Sequence, residues 1–524
     1  MHSIRSGTWS RGLESLLCRQ LHSPRISPLR ASLTQQTTRY ASSASSPEKA
    51  FQERLLEVKA ACPEPYPRLA VDQRTLSCAE FRTQYDGLAN NDSVEEIVVV
   101  SDCIAYFVAE IRSVGFLLLA GWERLSNNVA AVTGKPHRTG RGELTINATE
   151  VPRLLSPCLH DVPVYDSSHE TSPYPRHVQF LTDPAAADII RARSSLIQYL
   201  RQFFVNKEFM EVSTPIIESV AGGAIARPFY TSATEFPERQ LSLRIAPELW
   251  LKRMVVGGFD KIFEIGPSFR NEGLDKTHNP EFTTCEFYHA YANLEDLMRI
   301  TEDLLSGMAA HIQAFNKNNT LQPTQANFTA PFRRIDFITG IEEGLHQKLP
   351  DLSAPDALDQ IRRLFNSLSL PLPAKATLPR LLDELCSIYV EPQCQDPTFI
   401  INPPECLSPL SKSFTNPANG QRVGARGELF IEGKEVINTY EEENSPFEQR
   451  RKFEDQLRFG KDVGEPGEID ENYLEALQWG LPATGGWGCG IDRLVMLFTG
   501  AKKIADVLPF GNLRAVSRRA GGSE

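Results

Sequence analysis

The run EFTTCEFYHAY (281–291) constrains the fold more than any other segment. It is apolar and aromatic enough for a buried strand, yet Glu286 stands between Cys285 and Phe287. Successive strand side chains point to opposite faces, so Phe282, Glu286 and Tyr288 share one face. That face offers an aromatic plate, a carboxylate and a phenol, a surface suited to a flat base, an ammonium and a polar group. The loop before it, FRNEGLDKTHNP (269–280), adds Arg270, Glu272 and His278. A guanidinium is always charged and its planar fork matches phosphate or carboxylate. An extended chain would put Glu272 on the face of Arg270. His278 can donate to phosphate. A surface ion-pair cluster would explain any one pair of these residues, but not the whole set.

The surrounding pattern is that of an α+β protein. Asp183-Pro184 reads as an N-cap followed by proline at the first helical position. Leu196, Ile197, Leu200, Phe203 and Phe204 then mark one helix face. FMEVSTPII (209–217) reads as a strand with Pro215 near its edge, and 241–245 as another. Residues 247–256 read as a helix stopped by Gly257-Gly258. Strands follow at 261–269 and 281–291, then a long helix at 294–315. Residues 320–400 read as an insertion with helices at 357–367 and 378–389. A hairpin spans 427–431 and 435–440, and the strand 485–490 leads into a helix at 491–499. Strands and helices do not alternate in a βαβ rhythm, which argues against a doubly wound sheet and for a mixed antiparallel one.

The N-terminal third is different. Residues 1–47 hold six arginines, no lysine and one acid, Glu14, among many serines and threonines. This is the pattern of a mitochondrial transit peptide, assigned to residues 1–45, with a cleavage-like signal at 39–43. Residues 46–90 read as helical or irregular, and 94–100 as a strand. Residues 103–122 are apolar, but Glu110 and Arg112 lie at their centre. Each would cost about 2.5–3.5 kcal/mol in lipid, so buried strands are expected and no membrane span. Residues 129–134, a basic turn at 135–141, and 143–148 read as a hairpin. The net charge of −11 confines any nucleic-acid contact to a local basic face. Ten cysteines without a CxxC argue for reduced thiols rather than a zinc site.

Two further constellations carry chemistry. In GELFIEGKEVINTYEEEN (427–444), Glu428 and Glu435 lie on the two arms of one hairpin. Paired carboxylates are the usual hard ligands of a Mg²⁺ that also holds phosphate oxygens. Asn438, Tyr440 and Glu442 alternate and share a face. An acidic edge strand kept soluble by its charges is the plainer explanation. In GGWGCGIDR (485–493), four glycines in six residues imply close approach of a ligand or another chain to the backbone. Arg493 follows in the first helical turn, placed to hold a phosphate. Neither a GxxxxGK[ST] loop nor a Rossmann fingerprint is present, so a nucleotide site here has another design.

Together, FMEVSTPII, FRNEG…HNPEF and GGWGCGIDR resemble the three motifs of class II aminoacyl-tRNA synthetases. AGGAIARPF (221–229), residues 243–266, HNPEFTTCEFYHAY (278–291) and GIDRLVMLFTG (490–500) resemble lysyl-tRNA synthetase more closely. INTYEEENSP and ADVLPFG are similar to its fungal mitochondrial form. The resemblance implies a class II catalytic domain over 180–515, with the insertion at about 320–400. It also implies an OB-fold-like anticodon-binding domain over 91–170, incomplete because residues 102–128 are short and lack strand alternation. It implies activation of L-lysine with ATP and Mg²⁺, transfer to tRNA(Lys), a homodimer and a place in the mitochondrial matrix.

Carried over by position, Arg270 and Arg493 become the catalytic residues. ATP would be held by Arg270, Glu272, His278, Phe282 and Arg493, with Glu428 and Glu435 as Mg²⁺ ligands. Lysine would meet Gly223, Glu248, Glu286, Tyr288, Asn438, Tyr440 and Glu442. Tyr440 stands where bacterial members have phenylalanine. An aspartate or asparagine ligase would need a basic or amide partner where this chain has Glu248 and Glu286. A paralogue that has lost tRNA charging is the alternative reading.

Overall fold

The computed structural model describes residues 47–61, 66–68, 75–103, 129–150, 152–160, 162–163, 174–220, 222–223, 226–373, 375–462 and 469–516. The expected transit peptide and the strands expected at 103–122 lie outside these residues, except for residue 103. No helix among the described residues is long and apolar enough to cross a membrane. The chain divides at residues 164/165 into two compact units.

The first unit begins with helix α1 (Pro47–Ala61). Its sheet has strands β1 (Thr75–Ser77), β2 (Val98–Cys103), β3 (Val129–Arg138), β4 (Leu144–Ala148) and β5 (Arg153–Ser156). β1 to β4 pair in sequence order and β5 joins β3. Helix α2 (Cys78–Tyr85) starts at a capping box in which Ser77 and Glu80 satisfy each other's backbone amides. Its Phe81 and Tyr85 pack with Val98, Val100, Val132, Leu144 and Ile146 into a small core.

The expected turn at 135–141 is corrected. β3 runs on to Arg138, with Lys135 opposite Asn147 and His137 opposite Thr145. The chain turns only at 139–142, where the Gly142 amide donates to Thr139 O at 2.9 Å. Basic residues and a glycine suggested a turn, but this stretch alternates faces as the rest of the strand does.

The second unit is built on an eight-stranded sheet ordered β12-β13-β16-β17-β18-β11-β10-β6. In chain order its strands are β6 (Met210–Glu211), β10 (Lys261–Phe269), β11 (Glu281–Ala290), β12 (Arg333–Asp336), β13 (Thr398–Ile401), β16 (Arg426–Ile431), β17 (Lys434–Glu441) and β18 (Thr484–Gly490). A three-stranded sheet holds β7 (Ile217–Glu218), β8 (Tyr230–Ala233) and β9 (Phe236–Leu243), and β14 (Ser413–Thr415) pairs with β15 (Arg422–Gly424). All neighbours in the large sheet are antiparallel except the edge pairs β6–β10 and β12–β13. The mixed antiparallel expectation agrees with this sheet.

The expected single strand at 209–217 is corrected to two short strands, β6 and β7. Between them Thr214 gives its amide and hydroxyl to Glu264 Oε2, at 3.0 and 2.7 Å. Pro215 has no donor to offer a ladder. Side-chain bonds therefore replace pairing there.

After the short helix α3 (Arg176–Thr182), α4 (Pro184–Asn206) starts where Asp183 accepts from the amides of Ala185 and Ala186. It buries Leu196, Leu200 and Phe204 against the sheet, beside α6 (Leu294–Phe315). Phe204 meets Phe209, Phe263, Phe287 and Trp487 in one aromatic cluster, and the Phe287 and Trp487 rings stack with centroids 5.1 Å apart. The segment read as an insertion holds α7 (Phe337–Leu345), α8 (Ala357–Ser367) and α9 (Leu378–Tyr389) around a core of their own. Its ends are β12 and β13, which join the large sheet.

One buried ion pair ties these layers together. Arg193 of α4 lies 2.5 Å from Asp492 in the first turn of α12 (Ile491–Thr499), and donates to Thr283 Oγ1 of β11 at 3.0 Å. The other Asp492 oxygen accepts the Thr283 amide at 2.8 Å. Breaking such a pair from one side leaves an uncompensated buried charge, which costs about 3–5 kcal/mol. Asp492→Asn is therefore expected to lower unfolding stability by about that amount. Replacing both Arg193 and Asp492 by leucine should recover most of it, as urea titration of the intrinsic fluorescence will show.

Candidate active site

One face of the large sheet packs on the aromatic cluster, and the other opens into a cavity of about 500 Å³. Strand alternation makes this possible. On β11, Cys285 and Phe287 enter the core while Glu286 and Tyr288 line the cavity. On β18, Gly488 stands between Glu286 and Asn438, and Gly486 between Tyr288 and Tyr440. Two rows of site residues thus cross three strands, each interrupted by a glycine.

The glycines have distinct causes. A Cβ on Gly486 would collide with Glu442 Oε1 and come within 2.9 Å of Tyr288 Cε1. A Cβ on Gly485 would lie 3.0 Å from Leu297 and 3.1 Å from the Ala292 carbonyl. The expectation that this run admits a ligand or another chain therefore needs correction for these two, which make room for the protein's own atoms. Gly488 and Gly490 do line the cavity, with no neighbour closer than 3.5 Å to a Cβ on either.

All the candidate catalytic, ATP-, metal- and lysine-binding residues named from the sequence line this one cavity, except Glu428 and Glu442. At one end, the Arg270 guanidinium lies 5.1 Å from the Phe282 ring centroid. The Glu272 amide bonds to Arg270 O at 2.8 Å. The chain turns tightly there, so the extended arrangement expected for this pair is corrected. His278 Nδ1 is 2.7 Å from Asp275 and its Nε2 is 2.9 Å from Arg493 Nη2. Both contacts are satisfied when Nδ1 carries the proton and Nε2 accepts from the guanidinium. Arg493 also donates to Glu435 O at 3.0 Å. The FRNEG loop, the hairpin and the last motif therefore converge on one guanidinium.

In the hairpin, Asn438 Oδ1 accepts from Arg426 Nε at 3.0 Å and from Nη2 at 2.7 Å, and its amide donates to Glu435. Arg426 also pairs with Glu428 and lies 5.1 Å from the Tyr440 ring centroid. Burial raises the Glu428 carboxyl above its usual range; Arg426 pulls it down and Glu435 pushes it up again.

Further along the cavity the walls are acidic. Burial lifts Glu286 to about 8, helped by the charge of Glu248 and opposed by Arg270 and the Tyr288 hydroxyl. That hydroxyl donates to Glu286 Oε2 at 3.3 Å. Glu248 opens helix α5 (Glu248–Val256), with its Oε2 3.7 Å from a Cβ on Gly223. Sequence reasoning missed Asp492, Arg426 and Lys252. Asp492 lies within the GGWGCGIDR motif, and Arg426 directly precedes the 427–444 segment. Lys252 follows Glu248 by one helical turn, a spacing that pairs side chains.

The geometry is that of a class II synthetase site, and comparison with known proteins agrees. The family described as tRNA synthetases class II (D, K and N) matches residues 168–514, and the chain belongs to it. A mitochondrial lysine–tRNA ligase of Schizosaccharomyces pombe is 42% identical over 392 residues, covering 73% of this chain and 72% of its own. A probable cytoplasmic lysine–tRNA ligase of Enterocytozoon bieneusi is 40% identical over 395 residues, 72% of this chain and 75% of its own. A lysine–tRNA ligase of Legionella pneumophila (strain Paris) is 40% identical over 397 residues, 74% and 77%. Within class II, the chain is an enzyme of the lysine–tRNA ligase family.

Proposed function

We propose that the enzyme activates L-lysine with ATP to lysyl-adenylate and passes the lysyl group to the 3′ end of mitochondrial tRNA(Lys) in the matrix. The observation that carries this reading is one cavity with a cationic end, at Arg270 and Arg493, and acidic walls, at Glu248 and Glu286. The first suits a triphosphate and a carboxylate; the second suits an ammonium.

In this reading Arg270 holds the α-phosphate against the lysine carboxylate and stabilises charge as the two react. Phe282 stacks on adenine, Glu272 and His278 bind ATP, and Arg493 holds the γ-phosphate end. Glu428 and Glu435 would hold Mg²⁺. Their hard oxygens fit it, and the Glu435 charge adds to burial in raising the Glu428 carboxyl, a repulsion that a cation would relieve. When bound, the ion neutralises phosphate charge. Glu248, Glu286 and Glu442 supply the counter-charge for lysine, with Gly223, Tyr288, Asn438 and Tyr440 shaping the pocket. No protein nucleophile is needed, because attack by the lysine carboxylate expels pyrophosphate and positioning carries the rate.

Three further expectations belong with this reading. The Arg-rich leader and the mitochondrial relative support a transit peptide. The paired strands β2, β3 and β4 support an OB-fold-like reader of the anticodon over 91–170, though residues 104–128 lie outside the described residues. Val205, Met210, Ile216 and Ile217, at the end of α4 and in the run after it, are exposed apolar side chains of the kind a symmetric homodimer would cover. Sedimentation at micromolar concentration should then give twice the chain mass; a monomer would refute the dimer.

Residues 46–524 are expected to support lysine-dependent ATP–pyrophosphate exchange and to charge mitochondrial tRNA with labelled lysine. Exchange without charging would support the alternative, a family member that no longer charges tRNA.

Glu286→Gln removes one charge-assisted bond, worth about 1.5–3 kcal/mol, so the lysine KM should rise roughly ten- to a hundredfold with little change for ATP. Only the ionised carboxylate pairs with an ammonium. Since Glu286 is lifted to about 8, kcat/KM for lysine should fall as pH drops below that value. A profile flat from pH 6 to 9 would contradict this.

A further inference from the structure

Behind the acidic wall lies a lysine of the protein's own. Lys252, on α5, is fully buried, and its Nζ lies 2.5 Å from Glu248 Oε1 and 2.5 Å from Glu442 Oε2. The rings of Tyr288 and Tyr473 stand close by, each with its centroid 5.9 Å from the ammonium. Tyr473 comes from a separate helix, α11 (Glu471–Gln478), and is itself fully buried. Lys252 does not line the cavity, but Glu248 does.

The two carboxylates each spend one oxygen on this lysine. The second oxygen of Glu248 faces Gly223, at the cavity wall. The second oxygen of Glu442 lies against Gly486, beside Tyr288. Lys252 occupies Glu442 Oε2, and Glu442 Oε1 has no hydrogen-bond partner among the described residues. A buried carboxylate left in this condition is costly unless a further donor reaches it.

We propose that Lys252 is the pocket's built-in counter-cation: it balances one of the two carboxylates Glu248 and Glu442, leaving a deficit of one positive charge for the substrate ammonium to fill. The inference rests on the reading of this cavity as the lysine site. Lys252 touches no substrate; it is a positioning residue that also sets specificity. Glu248, Glu442 and Lys252 sum to one negative charge, which the side-chain ammonium of the ligand neutralises, while Glu286, the third carboxylate of the wall, remains to face its α-ammonium. A neutral side chain of the same shape leaves that charge buried and unpaired, and a site built on polar pairing rejects such ligands strongly.

The electrostatics agree in direction. Burial works against a charged Lys252, yet the carboxylates of Glu248 and Glu442 outweigh it and keep the ammonium well above its ordinary range. Burial raises Glu442, Lys252 lowers it and the like charge of Glu248 raises it. The titratable groups facing this cluster are Tyr288 from β11, Tyr440 from β17 and Tyr473 from α11, with Glu286 acting on Glu248 from β11. Removing the Lys252 charge removes the one influence from the protein that holds Glu442 down by direct contact. Glu442 should then keep its proton to higher pH.

The test is lysine-dependent pyrophosphate exchange by Lys252→Met and Lys252→Arg from pH 7 to 9, beside the unaltered enzyme. For Lys252→Met the lysine KM is expected to rise at least tenfold at pH 7, with the ATP KM within twofold, and the deficit should shrink as pH rises. Lys252→Arg keeps the charge and should keep the unaltered pH profile even if its KM rises. A loss equal at every pH, or ATP and lysine KM values rising together, would mean a structural role and overturn the proposal. So would a profile that shifts in Lys252→Arg, which also decides the matter if Lys252→Met does not fold. If the unaltered enzyme shows no response to lysine, it is the reading of the cavity that fails.

Discussion

The catalytic unit depends on the pairing of β17, β18 and β11 in one register. That register places Asn438, Gly488 and Glu286 in one row and Tyr440, Gly486 and Tyr288 in the next. Because side chains alternate, the same three strands send Ile437, Trp487, Cys489 and Phe287 into the opposite core. A slip of one residue would exchange the two faces, putting carboxylates among phenylalanines. Precision in the site is therefore inherited from packing in the core. The Phe204 cluster holds the register, and the Arg193–Asp492–Thr283 bonds lock α4, α12 and β11 to it.

The site separates two electrostatic tasks along one cavity. Guanidinium groups gather at one end, the end proposed for phosphate, each already oriented by the protein: Arg270 lies over Phe282, and Arg493 is held by His278 and the Glu435 carbonyl. Carboxylates gather at the other end, where burial raises their proton affinity and an ammonium is the natural relief.

Much of this was legible in the sequence because it depends on local period. The long helices at 294–315, 357–367, 378–389 and 491–499 and the strand at 261–269 have the bounds that periodicity and caps suggested. The cavity residues were legible because their motifs place unusual polar groups in apolar strands. What escaped depends on tertiary contact. Thr214 binds Glu264 instead of joining a ladder, so the run at 209–217 is not one strand. Gly486 answers to Glu442 across the sheet, a contact no spacing reveals. Lys252 looks like any exposed lysine at i+4 from a glutamate, and only the approach of Glu442 and Tyr473 from distant segments buries it.

The central claim is that the acidic end of the cavity recognises an ammonium. The direct measurement is calorimetric titration, at pH 8, of lysine and of norleucine, which keeps the chain and lacks the ε-amino group. Two lost charge-assisted bonds amount to roughly 3–6 kcal/mol, so norleucine should bind at least a hundredfold more weakly than lysine. Equal affinity for the two would contradict the account, because the carboxylate walls would then contribute nothing to recognition.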